Sequence, residues 1–140
     1  KWKKERQDAS SKDFLVERRA AHKAVWEQME QIHIGIRMGE LTQSKLAKQL
    51  QSLNAQILRL EPYLDSQLHR QVNEYADALI AFSELIKKKG GEEAHVAFRE
   101  TRATIPDDGY EEIRDQECKV QYLRSELIAK VGAVLRGENV

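Results

Sequence analysis

The chain is poor in the residues that build turns, disulfides and membrane spans. Its 140 residues include one Cys, two Pro and seven Gly. A single Cys excludes an intramolecular disulfide and a multi-cysteine metal site. So few Gly and Pro do not fit the many turns of a β-sandwich or barrel, and no apolar run approaches the roughly 18 residues that cross a bilayer. These shortages favour a small helical domain.

An excess of charge of one sign is also missing. Lys and Arg total 23, Asp and Glu total 23, and the formal net charge is zero. Domains that bind nucleic acid usually carry a basic excess, because neutralising phosphates supplies much of their affinity. The balance therefore predicts that DNA and RNA are not partners of this chain.

Apolar residues recur at helical spacing in four separate stretches. Steps of three and four residues place side chains on one face of a helix, which is the pattern of an amphipathic helix that buries one side. Four such helices joined by short loops bury their apolar faces most simply as an up-down four-helix bundle, so the predicted fold class is all-α. The expected core residues are, in chain order, Leu15, His22, Val25, Met29, Ile32, Ile36, Leu46, Leu50, Leu53, Ile57, Leu60, Leu68, Val72, Tyr75, Leu79, Phe82, Ile86, Ile113, Val120, Leu123, Leu127, Val131 and Val134.

Capping residues set the expected ends of the first helices. Ser10 or Ser11 fits the N-cap of a helix that opens at Lys12, and Gly39 fits a left-handed C-cap at its end. Thr42 fits the N-cap of the second helix. The first helix would then have about 28 residues and the second about 19, so one end of the first helix should be less covered than the rest.

A shorter element is expected between the third and fourth helices. Residues 92–103 are predicted to form a short helix with Val96, Ala97 and Phe98 as its apolar content. The complete prediction is an up-down four-helix bundle with one additional short helix between the third and fourth long helices. Residues 10–140 would form this single domain, preceded by a basic segment at residues 1–9.

The N-terminal segment combines an indole with several cations. Trp2 stands among Lys1, Lys3, Lys4 and Arg6. This pattern is typical of a transmembrane helix leaving the bilayer on the cytoplasmic side, where Trp favours the headgroup region and basic residues stay inside. Because the chain starts with Lys rather than Met, we expect a tether upstream of Lys1 and a location on the cytoplasmic side of the inner membrane. The alternative is a solvated terminus on a cytoplasmic protein.

Two short motifs resemble metal-ligand pairs. Glu30-x-x-His33 and Glu92-x-x-His95 have the spacing found in carboxylate-bridged di-iron bundles, which also require a Glu from each of two further helices. The second predicted helix contains no Asp or Glu, so the ligand set is incomplete. The sequence therefore predicts no metal, cofactor or catalytic residue, and a di-iron-like, metal-binding helical enzyme stays open as the alternative.

The last predicted helix has a second row of mostly small residues outside its main apolar stripe. The row consists of Cys118, Tyr122, Ala129 and Ala133. Small residues allow close helix approach, so this row is a candidate partner face. The alternative is a second core face, because a bundle helix is often covered on two sides.

Three stretches in the first third of the chain carry a resemblance. They are Glu17 to Ala20, Val25 to His33, and Arg37 to Thr42, and they combine a Glu-Arg-Arg start, a Trp-bearing helix and a Gly-Glu-Leu turn. The chain resembles the helical cytoplasmic domains of uncharacterised single-span bacterial membrane proteins. The resemblance implies a cytoplasmic domain tethered to the inner membrane, and it implies no activity or functional residue.

These observations together predict a non-enzymatic helical domain that acts in protein–protein interaction or assembly. Its partner would be an unidentified protein or a second copy of the chain, and it would be tethered to the membrane by a segment that precedes Lys1. A soluble regulatory module is a further alternative.

Leu53 lies at the centre of the second stripe and offers a test of the bundle pattern. We expect Leu53→Ala to lower the free energy of unfolding by about 2–5 kcal/mol, the usual loss for a truncated core leucine. A denaturant melt measures this change. A loss below about 1 kcal/mol would place this stripe against solvent instead of in a core.

Overall fold

A computed structural model describes the backbone of residues 2–91, 94–98 and 110–137, and the side chains of residues 12–91, 94–98 and 111–137. Within these ranges the chain forms four α-helices: α1 (Trp2–Arg37), α2 (Gln43–Leu60), α3 (Leu68–Gly90) and α4 (Tyr110–Leu135). A 3-10 turn, Glu61–Tyr63, follows α2 directly. The all-α prediction is confirmed.

The helices form a closed bundle. Each helix packs against the next in the chain, and α4 packs back on α1. The α3–α4 contact is the most extensive. The core contains most of the predicted stripe residues, and Leu53 is 1% exposed. Leu15 is wrongly predicted, because 56% of its surface is exposed.

The caps of the α1–α2 connection match their sequence signals. Gly39 has φ 68°, and its N–H donates to Ile36 O at 3.1 Å while Glu40 N–H donates to Gly35 O at 3.0 Å. This pair of bonds is the Schellman arrangement, in which a left-handed residue lets the chain satisfy the last helical carbonyls. Thr42 Oγ1 accepts from Lys45 N–H at 3.2 Å and caps α2.

The predicted start of the first helix is wrong. Ser10 and Ser11 do not begin a helix, because α1 is continuous from Trp2 to Arg37. Neither residue breaks a helix in its interior, so the capping signal was outweighed by the helix-forming residues on both sides. From residue 2 onward, the basic segment at residues 1–9 therefore belongs to the same helix as the first core stripe.

The prediction of a short helix between α3 and α4 is also wrong for residues 94–98, the part of residues 92–103 that the structure describes. Residues 94–98 are not helical, and Val96 forms an isolated antiparallel bridge with Leu41, with Val96 N–H donating to Leu41 O at 2.7 Å. Val96, Ala97 and Phe98 are all buried. Three consecutive buried residues do not fit a single helix face, because a helix turns by about 100° per residue.

One end of α1 is less covered than the rest, as expected, but the reason differs from the predicted one, because α1 begins ten residues earlier than predicted and extends past α4. α1 has 36 residues and α4 has 26. At 1.5 Å per residue they are about 54 Å and about 39 Å long. The difference lies at the N-terminus of α1, where every side chain from residue 12 to residue 17 is exposed.

Gly35 generates a test of how α1 packs at its other end. A Cβ on this residue would lie 2.8 Å from Leu41 Cγ, and Leu41 is buried and held by its bridge to Val96. Ala favours a helix over Gly by about 1 kcal/mol, but overpacking costs about 1–3 kcal/mol. We expect Gly35→Ala to lower the free energy of unfolding in a denaturant melt.

Gly132 in α4 provides the matched control for this substitution. A Cβ there would meet only the end of the Arg136 side chain, at 3.0 Å, which can move aside. Gly132→Ala should therefore leave stability unchanged or raise it by up to about 1 kcal/mol. Equal effects of the two substitutions would contradict the close packing of Leu41 on Gly35.

Candidate functional site

The N-terminal part of α1 extends past the end of α4. The chain after α4 turns beside Arg19, since a Cβ placed on Gly137 would lie 3.3 Å from an Arg19 guanidinium nitrogen. On the other side, the 3-10 turn reaches Phe14, whose ring centroid lies 5.9 Å from that of Tyr63. We call residues 2–17 the projecting segment. It belongs to a helix that is anchored in the bundle from Arg18 onward.

The projecting segment exposes consecutive apolar side chains. Phe14, Leu15 and Val16 are 44%, 56% and 66% exposed. Leu15 continues the apolar stripe of α1 in the sequence, but α4 ends before it reaches Leu15 along the helix axis. Buried area depends on a neighbouring element as well as on spacing, which explains the error at Leu15.

A compact polar cluster closes the bundle where the projecting segment begins. Asp65 lies in the turn before α3. Its Oδ1 is 3.2 Å from Lys130 Nζ, and its Oδ2 is 3.5 Å from an Arg18 guanidinium nitrogen. Gln67 N–H donates to Asp65 Oδ1 at 2.9 Å. Asp65 and Lys130 are both buried. One carboxylate therefore joins α1, α4 and the start of α3.

His22 completes this cluster and is fully buried. Its Nδ1 lies 2.7 Å from Arg18 O, and Asp65 N–H donates to its Nε2 at 3.2 Å. A carbonyl oxygen can only accept, so Nδ1 carries the proton and Nε2 is the acceptor. The prediction that His22 is a core residue is confirmed. We call His22, Arg18, Asp65 and Lys130 the end cluster.

The end cluster shifts the proton affinity of its members. Burial is the main cause that lowers the pKa of His22. The hydrogen bond to Arg18 O and the Asp65 charge raise this pKa, whereas the charges of Arg18 and Lys130 lower it. Burial alone would raise the pKa of Asp65, but the Gln67 N–H, Lys130 and Arg18 together bring it below its ordinary value. The cluster thus favours a neutral imidazole beside an ionised carboxylate.

A second polar group lies in the middle of the bundle. Arg124 on α4 forms an ion pair with Glu30 on α1 at 2.7 Å, and its guanidinium carbon lies 5.5 Å from the centroid of the Trp26 ring. Tyr75 is fully buried, and burial raises its pKa to about 12. Within the described residues, the Tyr75 hydroxyl has no hydrogen-bond partner.

His33 lies near this second group but contributes to the core through ring packing. It is buried, its ring centroid is 5.3 Å from that of Phe98, and Nδ1 has no hydrogen-bond partner in the described part of the chain. Burial, followed by the charge of Arg124, lowers its pKa. The imidazole therefore packs as a neutral ring against an aromatic neighbour.

The predicted metal candidates are not brought together. Glu30 is paired with Arg124, His33 is packed on Phe98, and His95 is exposed. Glu92 lies outside the described residues. Across residues 12–91, 94–98 and 111–137, no group of three or more His, Cys, Asp or Glu side chains could hold a metal ion.

The predicted partner face on α4 is only partly at the surface. Cys118, Tyr122 and Ala129 are exposed, whereas Ala133 is buried and is corrected to a core residue. Ala133 lies three residues after Lys130, which is also buried, so the two residues share one face of α4. A hydrogen bond to Glu126 raises the pKa of the exposed Tyr122 phenol.

A shallow groove lies between α3 and α4. Its volume is about 340 Å³, and Gln116 Nε2 donates across it to Ala78 O at 3.0 Å. Charges of both signs surround it, so it favours neither an anionic nor a cationic ligand. The lining residues are Glu74, Asp77, Ala78, Ala81, Gln116, Lys119 and Leu123.

The membrane-proximal candidates lie at the far end of α1. Trp2, Lys3, Lys4 and Arg6 occupy its first two turns, although their side chains are outside the described part, as is Lys1. Among the helices described, none has the length and apolar content needed to span a bilayer.

Sequence reasoning found His22 but missed its partners. Lys130 stands between Leu127 and Val131 on the buried side of α4, and an ionisable residue at such a position must have a partner or lose its charge. That signal predicts a buried acid but does not identify it. Asp65 lies outside the helical stripes, so periodicity does not single it out as that acid.

No protein-family model, curated protein or solved structure matches the chain.

Lys130 tests how much the end cluster contributes to stability. Removing one member of a buried ion pair typically costs about 3–5 kcal/mol, because the other charge stays buried. Since Arg18 remains 3.5 Å from Asp65, we expect Lys130→Met to cost about 3 kcal/mol in a denaturant melt, the low end of that range. Lys48→Met, at an exposed position of α2, is the control. A loss as small as that of the control would show that the pair contributes no net stability.

Proposed function

We propose that this protein is a non-enzymatic helical interaction domain, tethered to the cytoplasmic face of the inner membrane by a segment preceding Lys1. The observation that carries the proposal is the continuity of α1 from Trp2 to Arg37. A basic, Trp-bearing end is thereby connected by one helix to a packed bundle, and the two are held apart along the helix axis.

The cations at the N-terminus of the chain and the apolar groups of the projecting segment support a membrane surface as the contact of this end. Each of Lys1, Lys3, Lys4 and Arg6 would contribute about 1 kcal/mol near an anionic leaflet, and the Trp2 indole prefers the interface. Phe14, Leu15 and Val16 add exposed apolar surface on the bundle side of these cations. A protein partner docking on the projecting segment would use the same three side chains.

The non-enzymatic part of the proposal rests on how the reactive groups are used. Both ring nitrogens of His22 form hydrogen bonds with backbone groups, and Glu30 forms an ion pair with Arg124. Cys118 is exposed on α4, where no His lies within one helical turn in sequence. A di-iron-like enzyme is the alternative, and elemental analysis of the protein purified without chelator tests it: stoichiometric iron, manganese or zinc would replace the proposal.

Vesicle co-sedimentation tests the membrane contact directly. We expect the whole chain to bind phosphatidylglycerol-containing vesicles and to release them at high salt, because exposed charges are screened within about 8–10 Å. Removing residues 1–6, or substituting Lys3→Glu with Lys4→Glu, should weaken binding about tenfold or more, since each cation contributes about 1 kcal/mol.

A matched control separates a local contact from a general effect of charge. Lys45→Glu with Lys48→Glu changes the net charge equally on exposed positions of α2. This control should bind like the unsubstituted chain. Equal binding by all variants would contradict the membrane contact and favour a soluble regulatory module.

A further inference from the structure

We propose that His22 is a pH-sensitive latch that holds the turn between α2 and α3 against α1 while its imidazole is neutral, and releases that turn when it is protonated. The latch lies at the end of the bundle from which the projecting segment emerges. It concerns the bundle itself and does not depend on the membrane contact proposed above.

The hydrogen bonds of His22 require one protonation state. Nδ1 donates to Arg18 O at 2.7 Å, so Nε2 must present a lone pair to accept Asp65 N–H at 3.2 Å. An imidazolium carries N–H groups on both nitrogens. Its Nε2–H would face the Asp65 N–H, and two donors cannot bond to each other. Protonation therefore breaks the one bond that connects the imidazole to the turn.

The charges around His22 add to this effect. The ionisable groups that face it are Arg18 on its own helix, Asp65 in the turn and Lys130 on α4. Two cations already share the single carboxylate of Asp65. A charge on His22 would be a third cation at a fully buried position with no second acid in the cluster to balance it. Burial and these cations both favour the neutral ring.

Release of the turn would change what this end of the bundle exposes. Leu64 and Leu68 are buried on either side of Asp65, and Arg18 in α1 pairs with the same carboxylate. Opening the turn would uncover these leucines beside Phe14. Acidification would thus enlarge the apolar surface next to the projecting segment.

The direction of the pH effect follows from linkage. The folded latch has a His22 pKa below the ordinary value of 6.5, so the open turn binds more protons than the closed one. The latch is fully closed above that value and loses stability as the pH falls below it. The opening equilibrium should rise by up to about tenfold for each pH unit in this window. Asp65 remains ionised there, because its own pKa is lowered from an ordinary value of 3.8.

Hydrogen exchange of the whole chain between about pH 7.5 and about pH 5 tests the latch, spanning the range in which His titrates. After correction for the intrinsic rate, the Asp65 amide should lose protection by up to about tenfold per pH unit. Amides of residues 79–82 in the core of α3 need a larger opening to exchange and should stay better protected than Asp65 at every pH. Equal protection at both places would mean that Asp65 exchanges only through global unfolding and would overturn the latch, and so would pH-independent protection of Asp65.

Variants of the buried histidines provide the matched comparison. His22→Gln retains an acceptor for Asp65 N–H but cannot be protonated, so the pH dependence at Asp65 should disappear. His33→Gln removes the other buried imidazole and should leave that dependence intact. The reverse result would overturn the proposal.

The ring nitrogen NMR spectrum of the unsubstituted protein tests the latch without any variant. We expect His22 to be the neutral Nδ1–H tautomer at about pH 7.5, and its protonation to coincide with the loss of Asp65 protection. Observation of the Nε2–H tautomer, or of a ring that charges while Asp65 stays protected, would contradict the mechanism.

Discussion

The carboxylate of Asp65 is the point at which the separate parts of the bundle depend on one another. It pairs with Arg18 on α1 and with Lys130 on α4, and it accepts the Gln67 N–H just before α3 begins. Hydrophobic packing alone does not choose among slightly shifted helix positions, because it is non-directional. A buried carboxylate with fixed partners does, since any shift leaves a charge without its pair.

The middle of the bundle is held differently. The Glu30–Arg124 pair and the Arg124–Trp26 contact lie toward the surface between α1 and α4, while Tyr75 fills the interior as a large, fully buried ring. Its hydroxyl and the Nδ1 atom of His33 lack hydrogen-bond partners among the described residues. An unsatisfied buried polar atom carries a cost of about 1–3 kcal/mol, which the surrounding apolar contacts offset. In the end cluster, by comparison, both His22 ring nitrogens and both Asp65 carboxylate oxygens have partners. The polar contacts that fix the relative positions of the helices are therefore concentrated at one end of the bundle.

The sequence was informative where a residue's position depends on its own helix. The steps from Leu46 to Ile57 predicted a buried face, and all four stripe residues of that stretch are buried in α2. Gly39 and Thr42 were identified as caps because each acts on the backbone beside it: Gly39 has no Cβ and tolerates a left-handed φ, and the Thr42 hydroxyl accepts a nearby N–H. These predictions need no knowledge of distant elements.

The failures concern residues whose position depends on another part of the chain. Leu15 continues the α1 pattern but has no α4 residue opposite it. Val96 is held by a bridge to Leu41, far away in sequence, whose carbonyl oxygen accepts the Val96 N–H. The end cluster was missed for the same reason, since Arg18, Asp65 and Lys130 are separated by at least 47 residues from one another. Periodicity describes one helix at a time and does not show which charges meet.

The unbroken course of α1 has a consequence for rotation as well as for distance. Arg18 lies sixteen residue steps after Trp2, so the helix axis sets a separation of about 24 Å between its first turn and the end of the bundle. Each residue also turns the helix by about 100°. Insertion or removal of a single residue in this stretch would therefore swing the whole bundle around the axis of α1 while moving it only about 1.5 Å along that axis. The angular phase of α1, more than its length, determines which side of the bundle faces anything bound at its N-terminus.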